Sequence, residues 1–294
     1  MPSPRGRGLR PTSPIRGARA AIRWPGSSIP GRASATPPRF FGQRRRARNA
    51  GAFLIEHSQA TVPAEDIPDH IHDDAHFVFV TRGRYVSAAR GGGKPLLIYN
   101  PARTEHRDHF AEPGGWFLSI VFDGRWAEGA ADARSPLRVH DERALAAVLD
   151  LLRTMDGQDG AADLQDRCLE LLALTDGGPA EFDAPHGIKR ALDVIHDDAD
   201  PSLTVAGIAA LAGVHPAHLC RAFRRRFGRT PSAMLQASRL ERAVGLIANA
   251  DIPLSEIALA SGFFDQSHMT NAFRRGLHAT PAGVRRRLAA SCAD

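Results

Sequence analysis

The chain lacks the features that mark several protein classes. Only three cysteines occur, Cys168, Cys220 and Cys292; they are far apart, odd in number and form no Cys-x-x-Cys pair. They argue against a disulfide scaffold and for a reducing compartment. No stretch approaches the roughly 18 consecutive apolar residues that would span a bilayer, and no apolar block of about 7 to 15 residues follows the basic N-terminus as a secretory signal requires. A cytoplasmic protein with no membrane partner is therefore expected. Also missing are a nucleophile with an adjacent base, a glycine-rich phosphate loop and a pair of carboxylates placed for acid–base work. Nothing in the residues points to an enzyme or a cofactor.

Acidic residues are absent from positions 1–55, which carry 12 arginines. The asymmetry continues along the chain: residues 56–185 carry 12 basic against 23 acidic side chains, and residues 186–294 carry 14 against 9. Such a division predicts an anionic partner, nucleic acid or a membrane surface, for the C-terminal part, and another task for the acidic middle. A chain of 294 residues has room for two domains.

Residues 1–50 mix Arg, Pro, Gly, Ser and Ala without hydrophobic period, as in Pro37-Pro38 and Arg44-Arg45-Arg46. They are expected to form a disordered basic extension, because they cannot bury enough apolar surface to offset ordering. An arm lying on DNA, a targeting peptide and an extension without a folded role are all open. Four short apolar runs follow, at 52–55, 76–80, 96–99 and 116–122, cut by Gly, Pro and Asp; they predict antiparallel strands in a sandwich or barrel over 51–140. Three- and four-residue apolar steps predict helices over 141–155 and 161–174, a segment (141–176) that packs on the sheet or meets its copy in a second subunit. Asp176-Gly177-Gly178-Pro179 opens a linker to residue 186.

The C-terminal module, 187–290, is built on an internal repeat. Ile208, Ala209 and Gly213 return 49 residues later as Ile257, Ala258 and Gly262; Leu219, Phe223, Thr230 and Pro231 return 50 later as Met269, Phe273, Thr280 and Pro281. Each copy reads as a short helix closed by a glycine, a turn, and a second helix with start signals at Pro216 or Asp265. Helix, glycine turn, helix is the helix-turn-helix unit, whose second helix can enter the major groove. A longer helix from Pro231 to about Asn249 joins the two copies.

With these residues in place, the module resembles the DNA-binding domain of the AraC/XylS family of transcription regulators. The resemblance rests on Ile257-Ala258, Ser261-Gly262-Phe263, Phe273-Arg274-Arg275 and Thr280-Pro281, with one departure: Leu277-His278 stands where the family has Phe-Gly, as Phe227-Gly228 does in the first copy. It implies base contacts from Ala217, Cys220 and Arg221 on one recognition helix and from Gln266, Ser267 and Asn271 on the other. Arg221 can fork to guanine, and Asn271 or Gln266 to adenine. Arg224, Arg225, Arg274 and Arg275 fit phosphate contacts. Double-stranded DNA, a small-molecule effector, a second copy of the chain and RNA polymerase are the partners the resemblance implies.

In the middle domain His70-Ile71-His72, His76, Gly83, Pro101 and His106 resemble the two short motifs of cupin barrels. Cupins can hold a metal with such residues, but His76 stands here where an acid is usual. An effector pocket formed by His70, His72, His76, Tyr99, His106 and Trp116 is preferred over a four-histidine metal site made of His70, His72, His76 and His106. The fold expected is α+β: an N-terminal cupin-like barrel with a helical hairpin, then an all-α double helix-turn-helix domain. Three functions are weighed: an effector-controlled regulator, a cupin-type metalloenzyme fused to a DNA-binding module, and a DNA-binding protein whose middle domain only dimerises.

Overall fold

The computed structural model describes residues 22–24, 40–89, 96–122, 135–155, 157, 160–174, 185–196 and 200–293. Its strands are β1 (Ile22–Trp24), β2 (Gly42–Ala50), β3 (Phe53–Ala60), β4 (His70–His72), β5 (Ala75–Arg82), β6 (Tyr85–Val86), β7 (Leu97–Asn100), β8 (Glu105–His106), β9 (His109–Phe110), β10 (Trp116–Phe122) and β11 (Leu137–Arg138). The helices are α1 (Glu142–Thr154), α2 (Ala161–Ala173), α3 (His186–His196), α4 (Val205–Ala212), α5 (Pro216–Phe227), α6 (Pro231–Asn249), α7 (Leu254–Ala260), α8 (Gln266–Leu277) and α9 (Pro281–Ser291). A sheet-rich N-terminal part thus precedes a helical C-terminal part.

Six strands form an antiparallel sheet in the order β11-β7-β5-β10-β3-β2. The four apolar runs are its four central strands, where both faces are covered and a continuous apolar run is what burial requires. Smaller sheets, β1-β4-β8 and β6-β9, cover one face: Phe40, Phe110 and His72 sit ring to ring with Phe117 and His76. Among the described residues the large sheet ends at β2 and β11 and does not close on itself.

Strand β2 corrects the expectation of disorder through residue 50. Gly42–Ala50 pair with β3 from one end to the other, with the register shifting at Arg45, although the strand carries four arginines. As an edge strand it needs backbone partners on one side only, and charged side chains are what a sheet edge tolerates. Arg44 reaches Glu56 at 2.9 Å and Arg48 donates to the Thr154 carbonyl at 2.8 Å. The rest of the expected disordered extension lies outside the described residues, save Phe40, Phe41 and β1, which pairs in parallel with β4.

The second face of the sheet presents Phe53, Ile55, Phe77, Phe79, Tyr99, Leu118, Ile120 and Phe122 to one core that also takes in α1, α2 and α6 to α9. A separate, smaller core holds α3, α4 and α5, with Leu235 of α6. The division of the cores therefore falls inside the C-terminal module: its second helix-turn-helix unit shares a core with the sheet, and its first stands apart. The apolar faces of α1 and α2, including Leu164, Cys168 and Leu171, are buried within the chain, so neither is left over for a second subunit.

Helix ends follow the start and stop signals. Asp141, Thr204, Thr230, Asp265 and Thr280 each cap a helix through their side-chain oxygens, satisfying amide donors that the first turn leaves open. Helix α5 ends on Gly228 at φ 64°; its counterpart α8 ends on His278, which takes the same left-handed conformation at φ 49°. The departure from the family pattern thus leaves the helix length unchanged and places a side chain where glycine is free of strain. His278→Gly is expected to stabilise the fold by about 0.5–1 kcal/mol, read as a rise in Tm of roughly 2 °C; a fall in Tm would show that the imidazole contributes more than the strain costs.

Candidate nucleic-acid interface and ligand pocket

The two recognition helices are built alike. In α5, Leu219 and Phe223 are fully buried against Ile208 of α4; in α8, Met269 and Phe273 are buried beside Ile257 of α7. With the inward positions taken by these i, i+4 pairs, the remaining faces look outward. Ala217 and Arg221 on α5, and Gln266, Ser267 and Asn271 on α8, are exposed; Cys220 is half-buried. Arg224, Arg225, Arg274 and Arg275 are exposed along the last turns of the same helices. The first turn of α8 is fixed by the Asp265 cap, whose Oδ1 accepts from the His268 amide at 2.6 Å. Helix α6 between the units has 19 residues and is therefore about 28 Å long.

In the sheet domain the histidines come together. His70 and His72 on β4, His106 on β8 and His76 on β5 are all buried, with ring centroids 4.5–5.7 Å apart from His70 to His106, His72 to His76, His72 to His106 and His76 to His106. Register explains the meeting: His70 lies opposite His106, and His70 and His72 are two residues apart, so they share a face of β4. Burial lowers the pKa of His70, with the nearby His106 acting in the same direction and the Pro68 carbonyl opposing both, which favours the neutral imidazole.

Two residues expected in this pocket are elsewhere. Tyr99 neighbours Asn100 in β7, so the two side chains point to opposite faces; Asn100 donates to His76 at 3.1 Å, while Tyr99 packs with Phe77 and Phe122 on the helix-covered side. Trp116 stacks on His57, 5.3 Å away, also away from the pocket. The unbroken apolar run at 96–99 has no alternation from which to read a face. In their place the pocket takes Phe40, Phe41, Asn100's partner Asp108 and Phe110, two of which fall in the segment expected to be disordered.

A buried polar cluster joins the two parts of the chain and had no local sequence signal. Arg138 of β11 donates to Glu241 of α6 at 3.0 and 3.1 Å, and His140 meets the other carboxylate oxygen at 2.8 Å. Burial pushes the Glu241 carboxyl up, but His140 and Arg138 outweigh it and hold the pKa at about 2. His196 of α3 stacks on His140 with centroids 3.9 Å apart; burial, helped by that neighbour, takes its pKa down to about 3. Gly83 further donates to Asn249 at the end of α6, at 2.6 Å.

Comparison with known proteins agrees with the repeat. A helix-turn-helix domain family matches residues 208–287. The HTH-type transcriptional regulator GlxA of Rhizobium meliloti is 34% identical over 113 residues, 38% of this chain and 35% of that protein; the chain thus spans about a third of this relative's length. The HTH-type transcriptional activator RhaS of Escherichia coli is 24% identical over 249 residues, 76% of this chain and 89% of that protein. Among solved structures, an AraC-type regulator from Chromobacterium violaceum is 28% identical over 35% of this chain and 92% of that one, with a TM-score of 0.33. No helix of the described residues is long and apolar enough to cross a membrane.

Proposed function

We propose that the chain is a transcription regulator of the AraC/XylS type, one that binds specific DNA sequences and whose sheet domain takes a small ligand that alters how the two helix-turn-helix units meet DNA; the helix-turn-helix match over residues 208–287 and the likeness to the regulators GlxA and RhaS support this reading. The observation that carries the reading is the pair of recognition helices, each anchored by a buried i, i+4 pair and each presenting an exposed polar face, with three arginines in the last turn of α5 and two in that of α8. In this reading Arg221, Gln266 and Asn271 read bases, Ala217, Cys220 and Ser267 line the contact, and Arg224, Arg225, Arg274 and Arg275 hold phosphates. A 28 Å spacer is comparable to one DNA turn of roughly 34 Å, so one chain can address two successive major-groove segments. The histidine-lined cavity against the open sheet supports a ligand-binding role for the sheet domain. Homodimerisation and contact with RNA polymerase belong to the same proposal. GlxA and RhaS are both named as transcription regulators, which favours this reading over a metalloenzyme fused to a DNA-binding module.

Selection of bound sequences from random duplexes by the full chain tests the proposal; a preferred site with salt-sensitive affinity is expected. On that site Arg221→Ala should lose about 1–3 kcal/mol of discrimination at one base position. Arg274→Ala should instead weaken binding to all duplexes and lower the salt slope by about one. Equal losses on selected and random DNA for Arg221→Ala would remove its role as a reader.

A further inference from the structure

The histidine pocket is tight. Its volume is about 30 Å³, well below the roughly 300–1,000 Å³ of the clefts that organic ligands occupy. The groups around it are nevertheless arranged as ligands. One nitrogen from each of the buried His70, His72 and His106 lies within 4.8 Å of the other two. Two of these rings are locked in a definite tautomer: His70 donates Nδ1–H to the Pro68 carbonyl at 3.0 Å, and His106 donates Nδ1–H to the Thr104 carbonyl at 2.9 Å. Each therefore carries its lone pair on Nε2, the arrangement in which a backbone acceptor orients an imidazole toward a metal.

We propose that His70, His72 and His106 hold one divalent first-row transition-metal ion, and that this ion is the ligand to which the sheet domain responds. The second half of the proposal rests on the reading of that domain as a sensor. A zinc–nitrogen bond of about 2.0–2.1 Å places tetrahedral ligand atoms about 3.4 Å apart, so nitrogens lying within 4.8 Å of one another must close by up to about 1.4 Å, within reach of side-chain rotation. His76 is not a fourth donor through Nε2, which accepts from Asn100 Nδ2 at 3.1 Å; the same amide donates to Asp108 Oδ2 at 3.3 Å. Asp108, also lining the pocket, brings a negative charge to a site whose other donors are neutral, and the fourth coordination position stays open. Neutral imidazoles suit zinc, copper, nickel and iron rather than magnesium or calcium. A continuous route leads outward: β7, which ends at Asn100, pairs with β11, whose Arg138 is gripped by Glu241 on α6.

The test titrates the full chain, stripped with a chelator, with Zn²⁺ against a chromogenic chelator and with Co²⁺ by visible absorption. One ion per chain is expected, with the intense ligand-field bands of four- or five-coordinate Co²⁺, no competition from millimolar Mg²⁺, and affinity weakened about 100-fold or more in His72→Gln and His106→Gln. The Co²⁺ spectrum of the unaltered chain keeps the test valid if a variant fails to fold. Absence of binding, a six-coordinate aquo-type spectrum, or a folded His106→Gln that binds as tightly overturns the site. Affinity for the selected DNA site, measured with and without Zn²⁺, separates the two parts. An ion that binds without changing it overturns the signalling role, while DNA binding by a chain that takes up no metal leaves the regulator standing and removes the ion.

Discussion

Replacing Glu241 with alanine is expected to destabilise the fold by about 3–5 kcal/mol and to lower Tm by roughly 10 °C. The carboxylate is buried and receives Arg138 and His140 together; removing it leaves the Arg138 guanidinium, whose side chain is 2% exposed, in the interior without that counter-charge. The loss should belong to the broken pairing and not to the missing volume. Glu241→Leu combined with Arg138→Met should therefore be more stable than Glu241→Leu alone, since a buried ion pair replaced whole costs far less than one cut in half. The carboxyl is ordinarily near 4.5 and is held at about 2 in the fold. With the folded-state value depressed, its contribution is complete above about pH 4.5 and is lost only as pH falls toward 2. The difference between the wild type and Glu241→Gln, followed by denaturant unfolding, should shrink as pH falls from about 4.5 toward 2. A loss under about 1 kcal/mol for Glu241→Ala would show that the cluster does not hold the two parts together.

That cluster bears on how a ligand in the sheet domain could be felt by DNA-binding helices. Second-unit helices α7, α8 and α9 share a core with the sheet, while the first unit has its own. A shift within the sheet thus reaches the second unit through packing and through Glu241 and Asn249 on α6, whereas the first unit receives it through α6, the His196–His140 stack and the pairing of Arg229 with Asp141 and Glu142. In the reading proposed above, the element that such a shift would move is the placement of the first unit relative to the second.

What the sequence discloses follows from periodicity and from repeats. The four central strands are legible because burial on both faces demands apolar runs, and the helix-turn-helix units because each copy repeats Ile-Ala, Gly and the inward pair at matching steps. Edge strands β2 and β11 are not legible: Arg44 to Arg48 look like solvated chain, and only backbone pairing with β3 makes a strand of them. Tyr99 and Trp116 are misplaced in a reading of the pocket because uninterrupted apolar runs carry no face information, while Asn100, one residue further on, does reach His76. The approach of Arg138 to Glu241 spans 103 positions, and no local pattern announces a contact of that range. Nor does composition reveal that the core divides between the two repeats instead of before them.

The two repeats also supply a controlled pair of substitutions. Gly213 and Gly262 close equivalent helices with φ of 68° and 83°, so alanine at either meets the same backbone penalty of about 1–2 kcal/mol. Their surroundings differ. A Cβ on Gly213 would enter open space; one on Gly262 would run into the Pro201 carbonyl oxygen and lie 2.9 Å from Arg239 Nε. Pro201 belongs to the segment leading into α4, and α6 grips that unit through Arg239 on the Leu203 carbonyl at 2.8 Å and Ser238 on the Ile195 carbonyl at 3.1 Å. Gly262→Ala therefore adds overpacking of about 1–3 kcal/mol, for a total of about 2–5 kcal/mol, and it does so by pushing the first unit off the second. Stability should separate the two variants, with Gly262→Ala the lower in Tm. DNA binding should separate them further: on a site spanning both half-sites Gly262→Ala should lose more affinity than on a single half-site, because the register between recognition helices has moved, whereas Gly213→Ala should change both alike. If Gly262→Ala weakened full and half-sites by the same factor, the docking of Pro201 against Gly262 would have no part in setting that register.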